Sequence, residues 1–179
     1  MKKLLKLVTD RLLIAALDLE NFKLYIEDTA KLEKNLGVKV TGRELSSEIK
    51  EIFTKPYHKA LNDKENYLWY TNWQIILKDE NKIIGGITFK GPVNRKGEVE
   101  VGYGIDQDYQ NKGYMTETLS TIIKWSFSQN KVKIVTAETN KDNKASQRVL
   151  EKVGMKKYKE EEKTFWYKIE KTTKRGVRL

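Results

Sequence analysis

Three β-rich segments joined by short turns, running at once into a glycine loop and a helix, constrain this chain more than any other feature. Residues 69–78 and 82–90 are rich in Trp, Tyr, Ile and Phe and are separated only by Asp79-Glu80-Asn81, a hairpin signal. The stretch GPVNRKG at 91–97 makes a second turn, and EVEVGYGID at 98–106 a third strand. Its alternation puts Val99, Val101 and Tyr103 on one face and Glu98, Glu100 and Gly102 on the other. Connections this short predict an antiparallel meander, because parallel neighbours need a crossover of a dozen residues or more. The loop 107–112 then leads through Gly113 into a helix predicted over 113–129, with Met115, Leu119, Ile122 and Ile123 at helical spacing.

Around this centre, residues 11–17 (RLLIAAL) read as a first strand and 18–34 as a helix. Leu45, Ile49, Ile52 and Phe53 form the stripe of an amphipathic helix over 43–61, which Pro56 should end or kink. A strand at 132–138 precedes a helix at 143–153, with Ala145, Val149, Leu150 and Val153 inward, Asn143 as N-cap and Gly154 at the stop. Residues 155–160 and 164–170 read as closing strands. No repeat or linker divides the chain, so a single domain is expected over 8–170, with a frayed tail at 171–179 carrying four basic residues and no acid.

Composition narrows the function. There is no cysteine and one histidine, His58. Disulfide scaffolds, thiolate nucleophiles, Cys-type zinc sites and multi-histidine metal sites are therefore excluded, and no metal is expected. His58 reads as a surface or packing residue, and the aromatics Tyr67, Trp69, Tyr70 and Trp73 read as core before pocket lining. The apolar run from Leu12 to Leu17 is shorter than the roughly 7–15 residues of a signal-peptide core and the ~20 of a membrane span. The expectation is a cytoplasmic protein without a membrane partner. The net charge of +10 favours an anionic partner without naming it. The basic residues are spread along the chain and no nucleic-acid-binding signature appears, so nucleic acid is not the expected partner.

The chemistry-bearing segment runs from Glu98 to about Trp125. A helix start offers unpaired backbone N–H groups and the positive end of its dipole, and glycine lets a ligand approach the backbone. The loop ending at Gly113 is thus a candidate pyrophosphate cradle, with Gln110 and Lys112 adding a donor and a charge. The dinucleotide fingerprint G-x-G-x-x-G and the NTPase loop G-x-x-x-x-G-K-[ST] are both absent.

What is present resembles another family. Gln110-Asn111-Lys112-Gly113-Tyr114-Met115 looks like the [QR]-x-x-G-x-[GA] acetyl-CoA signature of the GNAT N-acetyltransferases, with Met115 departing at the last position. Glu100-Val101-Gly102-Tyr103 resembles the strand before that signature. Asn140, Asn143, Ser146 and Arg148 through Met155 resemble the second motif of the branch typified by the ribosomal-protein-alanine acetyltransferases. Thr9-Asp10-Arg11-Leu12-Leu13-Ile14 is similar to that branch's opening strand.

The resemblance implies an α+β GNAT fold, a mixed and mostly antiparallel sheet of about six to seven strands flanked by helices, its fourth and fifth strands splayed around acetyl-CoA. It implies acetyl transfer from acetyl-CoA to a primary amine, either a protein N-terminus or a small molecule, by direct attack in a ternary complex. A homodimer would follow by analogy with relatives. Tyr103, Gly104 and Ile105 would hold the thioester and pantetheine. Gln110, Asn111, Lys112, Gly113, Tyr114 and Met115 would hold the pyrophosphate. Asn140, Asn143 and Ser146 would meet the pantetheine arm or the adenosine end, with Lys112, Lys141 and Lys144 supplying charge. Glu100 is the first choice for general base, with Glu98 beside it. Many family members place a general-acid Tyr where this chain has Leu150, which leaves Tyr158, another group or solvent for that role. Two alternatives stay open: a GNAT-fold protein that binds CoA without turnover, and a basic nucleic-acid-binding protein.

Overall fold

In the computed structural model, residues 4–172 are described, so the tail from residue 173 lies outside the described residues. One eight-stranded sheet carries the order β1-β2-β3-β4-β5-β6-β8-β7. The strands are β1 (Lys6–Val8), β2 (Leu12–Ala16), β3 (Asn72–Leu77), β4 (Lys82–Phe89), β5 (Glu98–Ile105), β6 (Ile134–Asn140), β7 (Lys156–Glu160) and β8 (Thr164–Glu170). The helices are α1 (Leu19–Glu27), α2 (Thr29–Leu36), α3 (Ser47–Asn62), α4 (Tyr114–Ser128) and α5 (Lys144–Lys152). The expected meander is β3-β4-β5, and every neighbouring pair is antiparallel except β5 with β6.

Several expectations change in detail. The single helix expected over 18–34 is two, because Asp28 closes α1 and its side chain accepts from Lys31 N to start α2. The strand expected from residue 69 begins at Asn72, after a 3₁₀ turn over Lys64–Trp69. Strand β1 was not expected at all. Helix α3 runs straight through Pro56. A proline here removes the bond to the Ile52 carbonyl, but Ile52 is 65% exposed, so solvent is at hand to replace it.

The two faces of the sheet differ sharply. One is covered by α4 and α5 over a core of Trp73, Ile87, Val99, Val101, Leu119, Ile122, Val135 and Leu150. Trp73 is fully buried and donates its indole N–H to Leu68 O at 3.1 Å. It packs edge-on against Trp125 with ring centroids 4.8 Å apart, while Trp69 packs edge-on against Phe89 at the same separation. Trp69 and Trp73 therefore build core. On α5 Leu150 and Gln147 are buried and Val149 and Val153 pack against the core, whereas Ala145 is exposed. Gln147 is burial-competent because its amide donates to the carbonyls of Asn140 and Lys141. The opposite face is covered by α1, α2 and α3 only over the β2–β5 half, leaving a polar strip of Asn72, Gln74 and Thr88 above a cavity.

The feature that positions the site is a wedge. Strands β5 and β6 pair from Glu98↔Ile134 to Val101↔Ala137 and then separate. Beyond Val101, β5 keeps β4 as a partner on one side, while its other edge, from Gly102 to Ile105, opens on the wedge. A bulge at Ile84 and the close approach of Gly85 to β5 shape the same region. A Cβ on Gly85 would sit 2.4 Å from Gly104 O, so only glycine fits.

Candidate active site

The open edge of β5, the loop 107–113 and the N-termini of α4 and α5 enclose a cleft of about 480 Å3. Gly113 has φ +81 and Asn111 φ +60, so two left-handed residues flank Lys112 and turn the loop into α4. No side chain caps α4, so the amides of its first turn have no side-chain acceptor and face a ligand site. Arg148 and Lys152 line the cleft, and no Asp or Glu does. Both lie on one face of α5 at i, i+4, so their charges border the same cleft.

The structure brings most of the expected cofactor residues to this cleft: Tyr103, Gly104, Ile105, Gln110, Asn111, Gly113, Tyr114, Met115, Asn143 and Ser146 all line it. Asn140 lies in the adjoining wedge, a space of about 360 Å3 that also includes Asn143 and Ser146. Lys112 does not line the cleft; its Nζ sits 5.4 Å from the centroid of the Tyr109 ring. Lys141 turns away, its ammonium 2.6 Å from Glu160. Asn143 spends its side-chain oxygen on the N–H of Ser146 at 3.0 Å, so it caps α5. The Tyr103 hydroxyl lies 2.9 Å from Ser146 Oγ, and burial pushes its phenol up while the Ser146 bond opposes that.

The loop is fastened by contacts that local reading did not connect. Glu117, in the first turn of α4, accepts from Thr9 Oγ1 at 2.5 Å, Arg11 N at 3.2 Å and Arg11 Nε at 2.8 Å. Arg11 also donates to Lys112 O at 3.0 Å and lies 4.4 Å over the Tyr114 ring. Burial pushes the Glu117 carboxyl up, but the Thr9 and Arg11 bonds and the Arg11 charge outweigh it and hold the group below the usual carboxylate range. The opening Thr-x-Arg segment thus clamps the start of α4 from over a hundred residues away in sequence.

On the opposite face a second cavity of about 360 Å3 abuts the same strand. Its floor is Asn72, Gln74, Thr88 and the backbone at Gly102 and Gly104. Its wall is apolar, built from Leu45, Ile49, Ile52 and Phe53. The apolar stripe Leu45, Ile49, Ile52 and Phe53 thus lines a cavity, and Ile49 and Ile52 are 37% and 65% exposed. The two carboxylates in the lining are both engaged: Glu33 accepts from the Thr41 amide and hydroxyl, and Asp106 pairs with Arg43 at 2.9 Å.

The expected acid–base residues lie on this second face. Glu100 sits with Lys90 Nζ 2.5 Å from its Oε1, an ion pair whose angle falls short of a hydrogen bond. Glu98 accepts from Asn94 Nδ2 at 2.9 Å. Tyr158 is 46% exposed on the edge strand β7 and lines neither the cleft nor the wedge. Burial, then the charge of Glu98, push its phenol up. His58 is exposed on α3. Among the described residues no cluster of His, Cys, Asp or Glu is placed to hold a metal, and no helix is long and apolar enough to cross a membrane.

An uncapped helix N-terminus behind a glycine loop, beside a parallel strand pair that splays apart, in a sheet of this order, is the arrangement of the GNAT acyltransferases. Comparison with known proteins agrees. The family model described as an acetyltransferase (GNAT) domain matches residues 11–156. The uncharacterized N-acetyltransferase YjdG of Bacillus subtilis (strain 168) is 30% identical over 149 residues, 83% of this chain and 88% of that protein. Two solved structures share the fold. The ribosomal-protein-S5-alanine acetyltransferase of Vibrio fischeri has a TM-score of 0.68 at 17% identity, covering 93% of this chain and 96% of that one. The ribosomal L7/L12 alpha-N-protein acetyltransferase RimL, solved in complex with coenzyme A, has a TM-score of 0.65 at 15% identity, covering 94% and 98%. The chain belongs to the GNAT acetyltransferase family.

Proposed function

We propose that this enzyme transfers the acetyl group of acetyl-CoA to a primary amine, the two substrates meeting across β5 in a ternary complex. The observation that carries this reading is the two-sided geometry at Gly102–Ile105. A cleft with cations and an uncapped helix start lies on one face, a cavity with an apolar wall on the other, and the wedge joins them.

Acetyl-CoA supplies the activated acyl group at one end and a pyrophosphate and a 3′-phosphate in its nucleotide part. The α4 amides behind Gly113, with Arg148 and Lys152, match the pyrophosphate, and the open β5 edge matches the amides of the pantetheine arm. Backbone N–H groups of that edge hydrogen-bond the thioester carbonyl and stabilise the oxyanion as the amine attacks. The acceptor enters from the Asn72–Gln74 side, and a carboxylate on that face takes the amine's proton. Glu100 reaches that role only by giving up Lys90, and Glu98 only by giving up Asn94. The thiolate leaves toward the hydroxyls of Tyr103 and Ser146, with solvent completing its protonation.

The experiment is thiol release from acetyl-CoA across a panel of primary amines: short peptides with free N-termini, an apolar monoamine and a polyamine. Amine-dependent release supports the reading. Binding of acetyl-CoA with no release for any amine favours a binding protein without turnover. The engaged carboxylates and apolar wall of that cavity argue against the polyamine among the three.

A further inference from the structure

We infer that a basic groove at the far end of β5 from the Gly113 loop is a docking site for an acidic segment of a partner polypeptide, an assignment independent of the acetyl-transfer reading. The groove encloses about 840 Å3 and is built mainly from two short connections. The β4–β5 turn brings Pro92, Val93 and Arg95, and the α4–β6 loop brings Lys131 and Lys133. It shares no residue with the cleft, the wedge or the cavity above Asn72 and Gln74. At about 3.3 Å per strand residue, Gly97 in the groove and Gly104 at the cleft are roughly 23 Å apart.

The shape of the groove is built in. Asn94 Oδ1 accepts from the backbone N–H groups of Lys96 at 2.9 Å and Glu98 at 3.0 Å, which holds the turn. Gly97 has φ +83 and lies against the facing loop, where a Cβ would meet Lys133 Cγ at 2.9 Å and Lys131 O at 3.0 Å. Its carbonyl accepts from the Lys133 N–H at 2.8 Å. Backbone contacts, not opposite charges, therefore hold the cations of the two connections together.

Those cations are uncompensated. Arg95, Lys131 and Lys133 are exposed, as is Lys96 beside Arg95, and no Asp or Glu lines the groove. Among the described residues none of the four is in an ion pair, whereas Lys90, Lys141, Lys159 and Lys168 each have a glutamate. Glu98, next to Gly97, is engaged by Asn94 Nδ2, and Glu65, next to Asn66, does not line the space. The end of β8 adds to the excess. The Lys171 N–H donates to Lys133 O at 2.8 Å, and the sequence after it carries Lys174, Arg175 and Arg178 with no acid. Like charges gathered this way repel one another until an anion settles among them.

The lining selects the anion. Cations stand on both connections, and Trp69, Pro92 and Val93 add apolar surface. Carboxylates interspersed with apolar side chains match that mixture, with Arg95 offering a fork for a carboxylate. A single-stranded nucleic acid would instead stack its bases on free aromatic faces. Trp69 is the one aromatic side chain in the lining, and it is committed to Phe89 and Trp125, with centroids 4.8 and 5.2 Å away.

The test is fluorescence anisotropy of the full chain with a labelled short peptide of Glu and Asp interspersed with Leu, its Gln and Asn counterpart, and a single-stranded RNA. The acidic peptide should bind, more weakly as salt rises, and the neutral counterpart should not. The triple variant Arg95→Gln, Lys131→Gln, Lys133→Gln should lose about 10-fold or more in affinity, and Arg95→Gln alone a smaller part of that. A control that removes the same charge from exposed helix positions, Lys34→Gln, Lys55→Gln, Lys59→Gln, should bind within about twofold of wild type, which separates the groove from the net charge. Far-UV circular dichroism confirms that each variant is folded. Absence of acidic-peptide binding at low salt, equal losses in the groove and control variants, or an unchanged affinity in the groove variant would overturn the inference. RNA binding that is tighter than peptide binding and lost in the groove variant would overturn it in favour of a nucleic-acid surface.

Discussion

Replacing Glu117 by alanine probes the clamp that holds the cofactor loop. The carboxylate is 21% exposed and accepts three hydrogen bonds, from Thr9 Oγ1, Arg11 N and Arg11 Nε, beside the Arg11 Nη2 contact at 2.7 Å. Hydrogen bonds to a charged group contribute about 1.5–3 kcal/mol when buried, but Arg11 is 43% exposed, so solvent screens its share. Allowing about 1 kcal/mol for each bond gives a loss of about 2–3 kcal/mol in Glu117→Ala. At roughly 2–4 °C per kcal/mol for a chain of this size, the melting temperature should fall by about 5–10 °C. Thermal melts followed by far-UV circular dichroism at several pH values measure it.

The sign with pH follows from a folded-state pKa held below the unfolded value. The clamp's contribution is fully present above the usual carboxylate range, near 4.3, and is lost as pH falls through the folded pKa. The gap between wild type and Glu117→Ala should be flat from about pH 8 to 5 and close at lower pH. A variant that melts with wild type at neutral pH, or a gap that widens on acidification, would refute the clamp.

Other predictions follow the same geometry. Gly104→Leu meets nothing within 4 Å of its new Cβ, yet Gly104 borders both the cavity above Asn72 and Gln74 and the cleft at the Gly113 loop, so steady-state kinetics should show the KM for amine and for acetyl-CoA both rising, by about 10-fold or more for the amine. Gly85→Ala drives a methyl to 2.4 Å from Gly104 O, and denaturant unfolding should show a loss of about 1–3 kcal/mol. Leu150→Ala empties a fully buried position under the cofactor helix and should cost about 2–5 kcal/mol in the same assay.

The meander, the glycine loop and both flanking helices were legible because each combines a clear period with turn chemistry at its ends. The cleft at the Gly113 loop was legible for the same reason, since the loop and the α5 motif are local strings. The charges were misplaced, since Lys112 and Lys141 were expected to supply them and Arg148 and Lys152 line the cleft instead. The rest is tertiary. Strand β1 is three residues with mostly exposed side chains and gives no pattern. The stripe Ile49, Ile52 and Phe53 has the same period whether it faces a core or a cavity, so periodicity alone does not show that it lines one. The Arg11–Glu117 clamp joins residues that no local window contains. Much of the +10 charge is likewise unplaced: the cleft uses two cations, and Lys141, Lys159 and Lys168 are spent on neighbouring glutamates.

The most direct test of the central claim is the stabilisation of this protein by acetyl-CoA, measured for wild type and Gly113→Glu. At a hundredfold excess over its dissociation constant, a ligand bound only to the folded state adds about 2.7 kcal/mol, a rise of roughly 5–10 °C for a chain of this size. The account predicts that rise in wild type and its absence in Gly113→Glu, whose carboxylate would occupy the cradle at a left-handed backbone position. The ligand-induced difference, not the absolute melting point, is the readout, because that substitution is strained in its own right. No rise in wild type, or an equal rise in both proteins, would contradict the assignment of the Gly113 loop as the acetyl-CoA site.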